Sequence, residues 1–346
     1  MNCMSASTAP RRRKTGPSIE DVARLAGVSA QTVSRVSTGS DKVRPDTRTR
    51  VIEAMGQLGY SPNRAARALR SGTFRTIGIL AYRFDRTGEA LTTQSVVEAA
   101  AAQGYSVTLV GVTNPGRESW ESAAATLSDQ AVDGLVVIRA EIAAPESLAI
   151  TPYLPIAASD SRLVGYYPSV MSEQTAGTVD AVEYLLKLGH RTIHHIAGPG
   201  DSYPAQLRSA AWQRTLEETG LRAPEAKRGD WSAVSGYQVG RELAADPNVT
   251  AVYCANDEMA FGLLRALHEA GRSVPRDVSV IGFDGIALGE FSTPPLTTVA
   301  QDFHAIGLAL VDLVIGQIKA QIRAPVSRVG VPTKLIVRGT TAPPPS

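Results

Sequence analysis

The sequence predicts a small all-α helix-turn-helix domain followed by an α/β body of two lobes, each a doubly wound parallel sheet. Three observations carry this. Residues 18–36, S-I-E-D-V-A-R-L-A-G-V-S-A-Q-T-V-S-R-V, read as two short amphipathic helices broken at Gly27. From residue 76 the apolar pattern changes to short buried-strand runs alternating with amphipathic helices. The same alternation restarts at residue 192.

The elements follow in order. Residues 1–17 are polar, punctuated by Pro10 and Pro17, and carry the run Arg11-Arg12-Arg13-Lys14; they read as a disordered basic tail. Ser18 with Asp21 three residues on is a capping-box-like helix start. Val22, Ala23, Leu25 and Ala26 supply an apolar face, and Gly27 can take the positive φ of a tight helix end. Ser29 caps a second helix over 30–37, with Val33 and Val36 inward and Gln31 and Arg35, four apart, on the opposite face. Arginine pairs bidentately with guanine and glutamine with adenine in a major groove, while Ser29, Thr32 and Ser34 are short donors at phosphate height. Pro45 opens a third helix with Val51, Ile52, Met55 and Leu58 as its core stripe, ended by Gly59. Residues 18–62 thus form one domain. The Ala/Arg-rich stretch 63–70 is too short to be a stable isolated helix, and 63–74 is read as a hinge or linker.

In the body, the first lobe takes strands at 77–80, 107–110, 134–138 and 156–158, with helices at 91–103, 118–130 and 177–188. The second takes strands at 192–196, 251–254 and 278–283, with helices at 209–219 and 258–270. Two α/β units in tandem place a ligand cleft between them, at the carboxyl ends of the strands.

Net charge is only +2, but residues 1–75 hold 14 Lys/Arg against 5 Asp/Glu and the remainder 21 against 28. A basic head on an acidic body suits a polyanion at one end only. Cys3 and Cys254 imply no disulfide framework. No apolar signal-peptide core follows the basic run and no 18-residue apolar run is apparent, so no membrane partner and a cytoplasmic location are expected. His194 and His195 point to opposite faces of a strand, and histidine and cysteine spacings match no metal motif. Neither a nucleophile elbow nor a phosphate loop is present; no enzyme, cofactor or metal site is expected.

The stretch 18–36 resembles, nearly residue for residue, the DNA-reading segment of the lactose/galactose repressor (LacI/GalR) family, and the body resembles periplasmic sugar-binding proteins. The resemblance implies a homodimer on double-stranded operator DNA. In it, Ala30, Gln31 and Arg35 face the major groove; Ser29, Thr32, Ser34 and Asn63 meet phosphates; 63–70 is a hinge helix that folds when two copies pair on DNA. Leu69 matches the leucine that wedges into the minor groove, where unstacking is offset by a better-contacted bent duplex. The architecture also implies three crossings between lobes, placed near 189–191, 296–301 and 321–325. The first lobe then takes 75–190 and 299–323, including a helix over 305–318. The second takes 191–298 and 324–340, including a strand over 328–337, with 341–346 as a tail. The family's tetramer-forming leucine heptads are not seen, which favours a dimer.

For the effector, the resemblance implies Arg208 clamping vicinal oxygens, Trp231 stacking on a pyranose, Asn256 and Asp284 bonding hydroxyls, and Gln301 reaching in from a crossing. Asp257 is expected to cap the helix that follows it. The family's first-lobe serine falls at Tyr82, counted as an effector contact, and its aspartate at Ala176; Glu173-Gln174 replaces a common Asp-Asn or Asp-Gln. Those departures leave a sugar or glycoside effector without fixing it as a galactoside. The expected function is a transcription regulator, a repressor, under allosteric control by a sugar-like ligand. The alternatives are a sugar-binding protein or a sugar-acting enzyme without specific DNA binding.

Overall fold

The computed structural model describes residues 16–61, 72–82, 84–112, 122–123, 125–127, 132–138, 154–159, 163–322 and 324–345. The chain divides into two compact units, Met1–Phe74 and Arg75–Ser346.

In the first unit, α1 (Ile19–Ala26), α2 (Ala30–Ser37) and α3 (Pro45–Leu58) follow local chemistry closely. The Ser18 amide and hydroxyl donate to Asp21 at 2.9 and 2.8 Å, and the Asp21 amide donates back to Ser18 Oγ, a complete capping box. Gly27 ends α1 at φ +66°, a left-handed conformation that lets the chain turn sharply into α2. Val22, Ala26, Val33, Val36, Val43, Val51 and Ala54 bury together. Two stripe assignments need correction. Leu25 is 50% exposed and Ile52 55% exposed. At about 100° per residue, each lies off the arc set by Val22 with Ala26, and by Val51 with Met55. Ala54, 3% exposed, takes the inward place beside Val51.

In the second unit one sheet runs in the order β11-β5-β4-β3-β1-β2. Its strands are β1 (Thr76–Ala81), β2 (Ser106–Gly111), β3 (Gly134–Ile138), β4 (Ile156–Ser159), β5 (Ser169–Ser172) and β11 (Arg328–Val331), all parallel. The other runs β12-β10-β9-β8-β6-β7, from β6 (His194–Ala197), β7 (Lys227–Arg228), β8 (Ala251–Cys254), β9 (Ser279–Asp284), β10 (Thr297–Ala300) and β12 (Lys334–Ile336); only β12 is antiparallel. Strand order reverses beside β1 in the first sheet and beside β6 in the second. Ligands sit at such switch points, outside the carboxyl ends of the strands.

The helices are α4 (Thr87–Ala102), α5 (Gln174–Lys187), α6 (Tyr203–Glu218), α7 (Ala233–Ala245), α8 (Asp257–Glu269) and α9 (Phe303–Ala320). The sequence reading had not identified α7 or β5, and most of its helix at 118–130 lies outside the described residues. The core of α9, Ile306, Leu310, Val311, Val314 and Ile315, packs with Val96 and Ala99 of α4 on β1, β3 and β4. At 18 residues and mean hydropathy 1.5, α9 is long and apolar enough to cross a membrane by length and composition, contrary to the expectation that no such run exists. Its scattered His304, Asp312 and Lys319 hide the run from inspection.

The lobe crossings differ from those expected. Ala181, Val182 and Leu185 of α5 pack with Trp212, Tyr253 and Phe283, so α5 belongs to the second lobe and the first crossing is at Glu173, not 189–191. The expected single strand over 328–337 is two. Its first half, β11, pairs with β5 of the first lobe and its second, β12, with β10 of the second, which moves the third crossing to 332–333. The second crossing falls at 301–302, between β10 and α9. A glycine marks where a helix stops, not which sheet it covers. The crossings lie side by side: the Glu173 amide donates to Val331 O at 2.9 Å, and Gln174 Nε2 to Gln301 Oε1 at 3.2 Å. The expected tail from 341 is tied down through Ala342, whose amide donates to Ser279 Oγ at 3.0 Å and whose carbonyl accepts from that hydroxyl at 2.9 Å.

Candidate functional site

In the first unit, Ser29 caps α2 by accepting from the Thr32 amide at 3.2 Å. With Val33 and Val36 buried, Gln31 and Arg35 emerge one turn apart and exposed, Ser34 and Thr32 stand half-buried beside them, and Ala30 packs partly on the core. Ser29 and Thr32 hydroxyls meet at 2.9 Å. No acidic residue occupies the first turn of α2. The helix end therefore presents amides, hydroxyls, one amide side chain and one guanidinium, the donor set that suits an anionic duplex. Asn63 and Leu69 lie outside the described residues.

In the second unit, a cavity of about 110 Å³ opens between the carboxyl ends of the two sheets. The first lobe lines it with Asp85, Arg86, Thr87 and Gly88, which follow β1 and start α4; the second lobe contributes Asp230, Trp231, Ser232, Asn256, Glu258 and Asp284. Thr87 Oγ1 donates to Glu258 Oε1, a direct tie between the lobes. Arg86 lies 3.7 Å from Glu89, whose side chain is 1% exposed.

Trp231 is held from several sides. Its backbone takes φ +77°, and its carbonyl accepts from Asn256 Nδ2 at 2.9 Å. A Cβ on Gly198, just past β6, would fall 2.5 Å from the indole, so only glycine lets the ring lie there. The Arg208 guanidinium carbon stands 5.5 Å from the ring centroid. The indole is 6% exposed, and its Nε1–H is buried without a partner among the described residues.

Asp284 ends β9 at φ +105°. Its Oδ1 accepts from Gln301 Nε2 at 2.6 Å and Arg208 at 3.3 Å. Arg208 is 1% exposed and has its donors engaged: Nε to Gln174 Oε1 at 2.7 Å, another to the Ala255 carbonyl, and the third to Asp284, with Phe283 3.7 Å beneath. Among the six residues expected to meet an effector, then, Trp231, Asn256 and Asp284 line the cavity. Arg208 and Gln301 stand behind Asp284 and orient it. Tyr82 packs, partly buried, against the first-lobe core cluster that includes Leu80 and Leu135 and is not among the lining residues.

Asn256, not Asp257, caps α8, with Oδ1 accepting from the Met259 amide at 3.0 Å. The Asp257 carboxylate instead turns into the lobe, accepting from Thr298 Oγ1 at 2.6 Å and the Ile286 amide at 2.8 Å, and burial pushes its pKa up to about 8. Asp230 at the cavity mouth goes the other way: the Ser232 hydroxyl and amide hold its carboxyl below the usual range. The sequence reading missed Asp85–Gly88, Asp230, Ser232 and Glu258. The signal for the first group was their place after the strand beside the switch point.

Comparison with known proteins agrees with both units. The family model for bacterial regulatory proteins of the lacI family matches residues 18–63, and that for a periplasmic binding protein-like domain matches 182–341. The lactose operon repressor of Escherichia coli K12 is 35% identical over 335 residues, covering 94% of this chain and 92% of that protein. The ribose operon repressor of the same strain is 33% identical, covering 87% and 92%. Among solved structures, the lac repressor dimer bound to operator and the anti-inducer ONPF superposes with a TM-score of 0.85 at 33% identity, covering 95% of this chain and all of that one. The transcriptional regulator CelR in complex with cellobiose gives 0.70 at 30%, covering 94% and 99%. With a capped reading helix in one unit and an interlobe cavity in the other, the chain belongs to the LacI family of bacterial regulatory proteins.

Proposed function

We propose that the chain is a homodimeric, operator-specific transcription repressor whose DNA affinity is set by a small hydroxylated ligand held in the interlobe cavity. The observation that carries this is the pairing of an exposed Gln31/Arg35 face on a capped helix with a cavity lined from both lobes of the same chain. Gln31 and Arg35 read base edges, Ala30 admits at most a thymine methyl, and Ser29, Thr32, Ser34 and Asn63 position the helix on phosphates. Leu69 wedges into the minor groove when two hinges pair. In the cavity, Trp231, Asn256 and Asp284 meet the effector, with Arg208 and Gln301 fixing Asp284. The relatives support the assembly and the ligand class: one solved relative is a dimer on operator, another holds cellobiose, and a third, 25% identical, holds ribose. The chain acts as a regulator and not as an enzyme, and a protein reading chromosomal operators works in the cytoplasm, on the nucleoid.

The mechanism is a population shift. Three adjacent crossings let the lobes move as bodies about Glu173, Gln301 and 332–333, and the Thr87–Glu258 tie reports their closure. A ligand shifts operator affinity only through its different affinity for the two lobe arrangements, about 1–3 kcal/mol per site, or roughly 5–150-fold. Fluorescence anisotropy on DNA from upstream of the chain's own gene tests this. The wild type binds with a steep salt dependence, and Arg35→Ala loses about 1–3 kcal/mol of discrimination between operator and random DNA while the fold is kept. Unchanged discrimination in Arg35→Ala contradicts the reading role.

A further inference from the structure

We infer that Gln174 is a positioning residue for the allosteric response: its amide ties the first crossing to the second and both to the cavity carboxylate Asp284, and the intact tie favours the operator-binding arrangement of the lobes. This rests on the proposed function and names a residue that joins the cavity to the hinge.

Four buried side chains close a hydrogen-bonded ring. Arg208 Nε donates to Gln174 Oε1 at 2.7 Å, Gln174 Nε2 to Gln301 Oε1 at 3.2 Å, and Gln301 Nε2 to Asp284 Oδ1 at 2.6 Å. Arg208 closes the ring on the same Oδ1 at 3.3 Å. All four residues are buried, Gln174 at 1% exposure. The chemistry fixes the sense of the ring. A guanidinium only donates and a carboxylate only accepts, so each amide between them turns its oxygen toward Arg208 and its nitrogen toward Asp284. Turning either amide over brings nitrogen against nitrogen and oxygen against oxygen, and buried polar atoms left unpaired cost more than the bond is worth. The ring is closed or broken with little between, as a two-state element requires. Position gives it a role. Gln174 directly follows the first crossing at Glu173 and opens α5, Gln301 stands at the second crossing, and Asp284 lines the cavity. Gln174 itself is outside that lining. The third crossing joins through the Glu173 backbone, whose amide donates to Val331 O at 2.9 Å and whose carbonyl accepts from Thr333 Oγ1 at 3.4 Å. Movement of the lobes turns the backbone at these crossings and so strains the Gln174–Gln301 bond, while a ligand on Asp284 acts on the ring from the cavity side. The arrangement that closes the ring belongs to a chain that superposes on the operator-bound lac repressor with a TM-score of 0.85, which gives the direction: a closed ring favours operator binding.

Gln174→Glu tests this in the full chain. The carboxylate keeps an oxygen for Arg208 but deletes the N–H that Gln301 receives, so it cuts the link between the crossings while the buried guanidinium stays paired. Gln174→Met, which adds no charge, cuts both bonds and serves as the second variant. The readouts are thermal melting, hydrogen–deuterium exchange without ligand or DNA, and fluorescence anisotropy on DNA from upstream of the chain's own gene. In both variants, exchange is expected to quicken about fivefold in peptides holding the Glu173 and Gln301 amides, which donate to Val331 O and Asp284 O, and to stay unchanged in β8. Operator affinity should weaken about fivefold or more, with the melting temperature of Gln174→Glu close to wild type. Unchanged exchange at the crossings in both variants overturns the inference. So does a lower melting temperature or faster exchange with operator affinity unchanged, the result of a merely structural role. Wild-type protein that does not distinguish operator from random DNA removes the repressor reading and the inference with it. Wild-type protein that does distinguish them, with both variants matching it, removes the inference alone.

Discussion

Arg208 distinguishes a structural strut from a ligand clamp, and Arg208→Met decides between them without any ligand present. The guanidinium is 1% exposed and joins three segments: Gln174 at the first crossing, the Ala255 carbonyl after β8, and Asp284 at the end of β9. Methionine keeps much of the volume over Phe283 but removes every donor. Asp284, 5% exposed, is then left to Gln301 alone. Breaking one side of a buried ion pair costs about 3–5 kcal/mol, because the remaining charge stays buried. The two neutral hydrogen bonds would add about 1 kcal/mol each, partly offset by retained packing, so about 4 kcal/mol is expected. At roughly 2–4 °C per kcal/mol for a unit of this size, the melting temperature should fall by about 10 °C. Trp212 and Trp231, 2% and 6% exposed in this lobe, make intrinsic fluorescence a suitable probe. Adding Asp284→Asn should recover part of the loss, the double variant being less destabilised than the sum of the singles by about 1 kcal/mol or more. A fall of less than about 2 °C in the single variant would refute the strut, because an arginine whose donors await a ligand is replaceable in the empty protein.

Two further perturbations follow from packing and burial. Gly236 of α7 lies against the backbone of α8, where an added Cβ would stand 2.2 Å from Met259 O and 2.5 Å from Met259 Cα. Gly236→Ala must therefore spread the two helices that bracket Trp231 and Asn256. It should cost about 1–3 kcal/mol and weaken ligand binding; a melting temperature equal to wild type would contradict the close approach. His195 is fully buried, stacked 4.9 Å from Tyr253, with Nδ1 bonded to Tyr253 O at 2.9 Å and Nε2 to Ser209 Oγ at 3.1 Å, and burial lowers its pKa to about 4. Between about pH 4 and 6.5 the unfolded chain binds more protons at this residue. Its contribution is present above pH 6.5 and lost as pH falls toward 4, about 3 kcal/mol in all. His195→Gln should flatten that acid limb in urea midpoints taken at pH 4.5 and 7.5; an unchanged difference between the two would count against it.

Much of this was legible in the sequence because it is local. Ser18, Asp21, Gly27 and Ser29 cap and turn their helices through contacts three or four residues away, so the reading helix and its outward Gln31 and Arg35 follow from spacing alone. Asp284 and Trp231 were legible through the stretches around them that resemble the family, and both line the cavity. The errors are tertiary. The sequence around Arg208 does not say that Gln174, Asp284 and the Ala255 carbonyl converge on it. Helix α5 carries the same apolar stripe whichever sheet it covers, and residues 328–337 read as one strand because alternation does not reveal a change of sheet. Tyr82 and Asp85–Gly88 differ by a few positions after β1; only the three-dimensional course of that turn puts the latter in the cavity.

The central claim is that cavity and reading helix are coupled within one protein, and thermodynamic reciprocity tests it most directly. The measurement is the affinity of the cavity ligand for the full chain by calorimetry, with and without saturating operator DNA. Operator should change ligand affinity by the same factor, about 5–150-fold, by which ligand changes operator affinity. Equal ligand affinity with and without operator, in a protein that binds both, would contradict the claim.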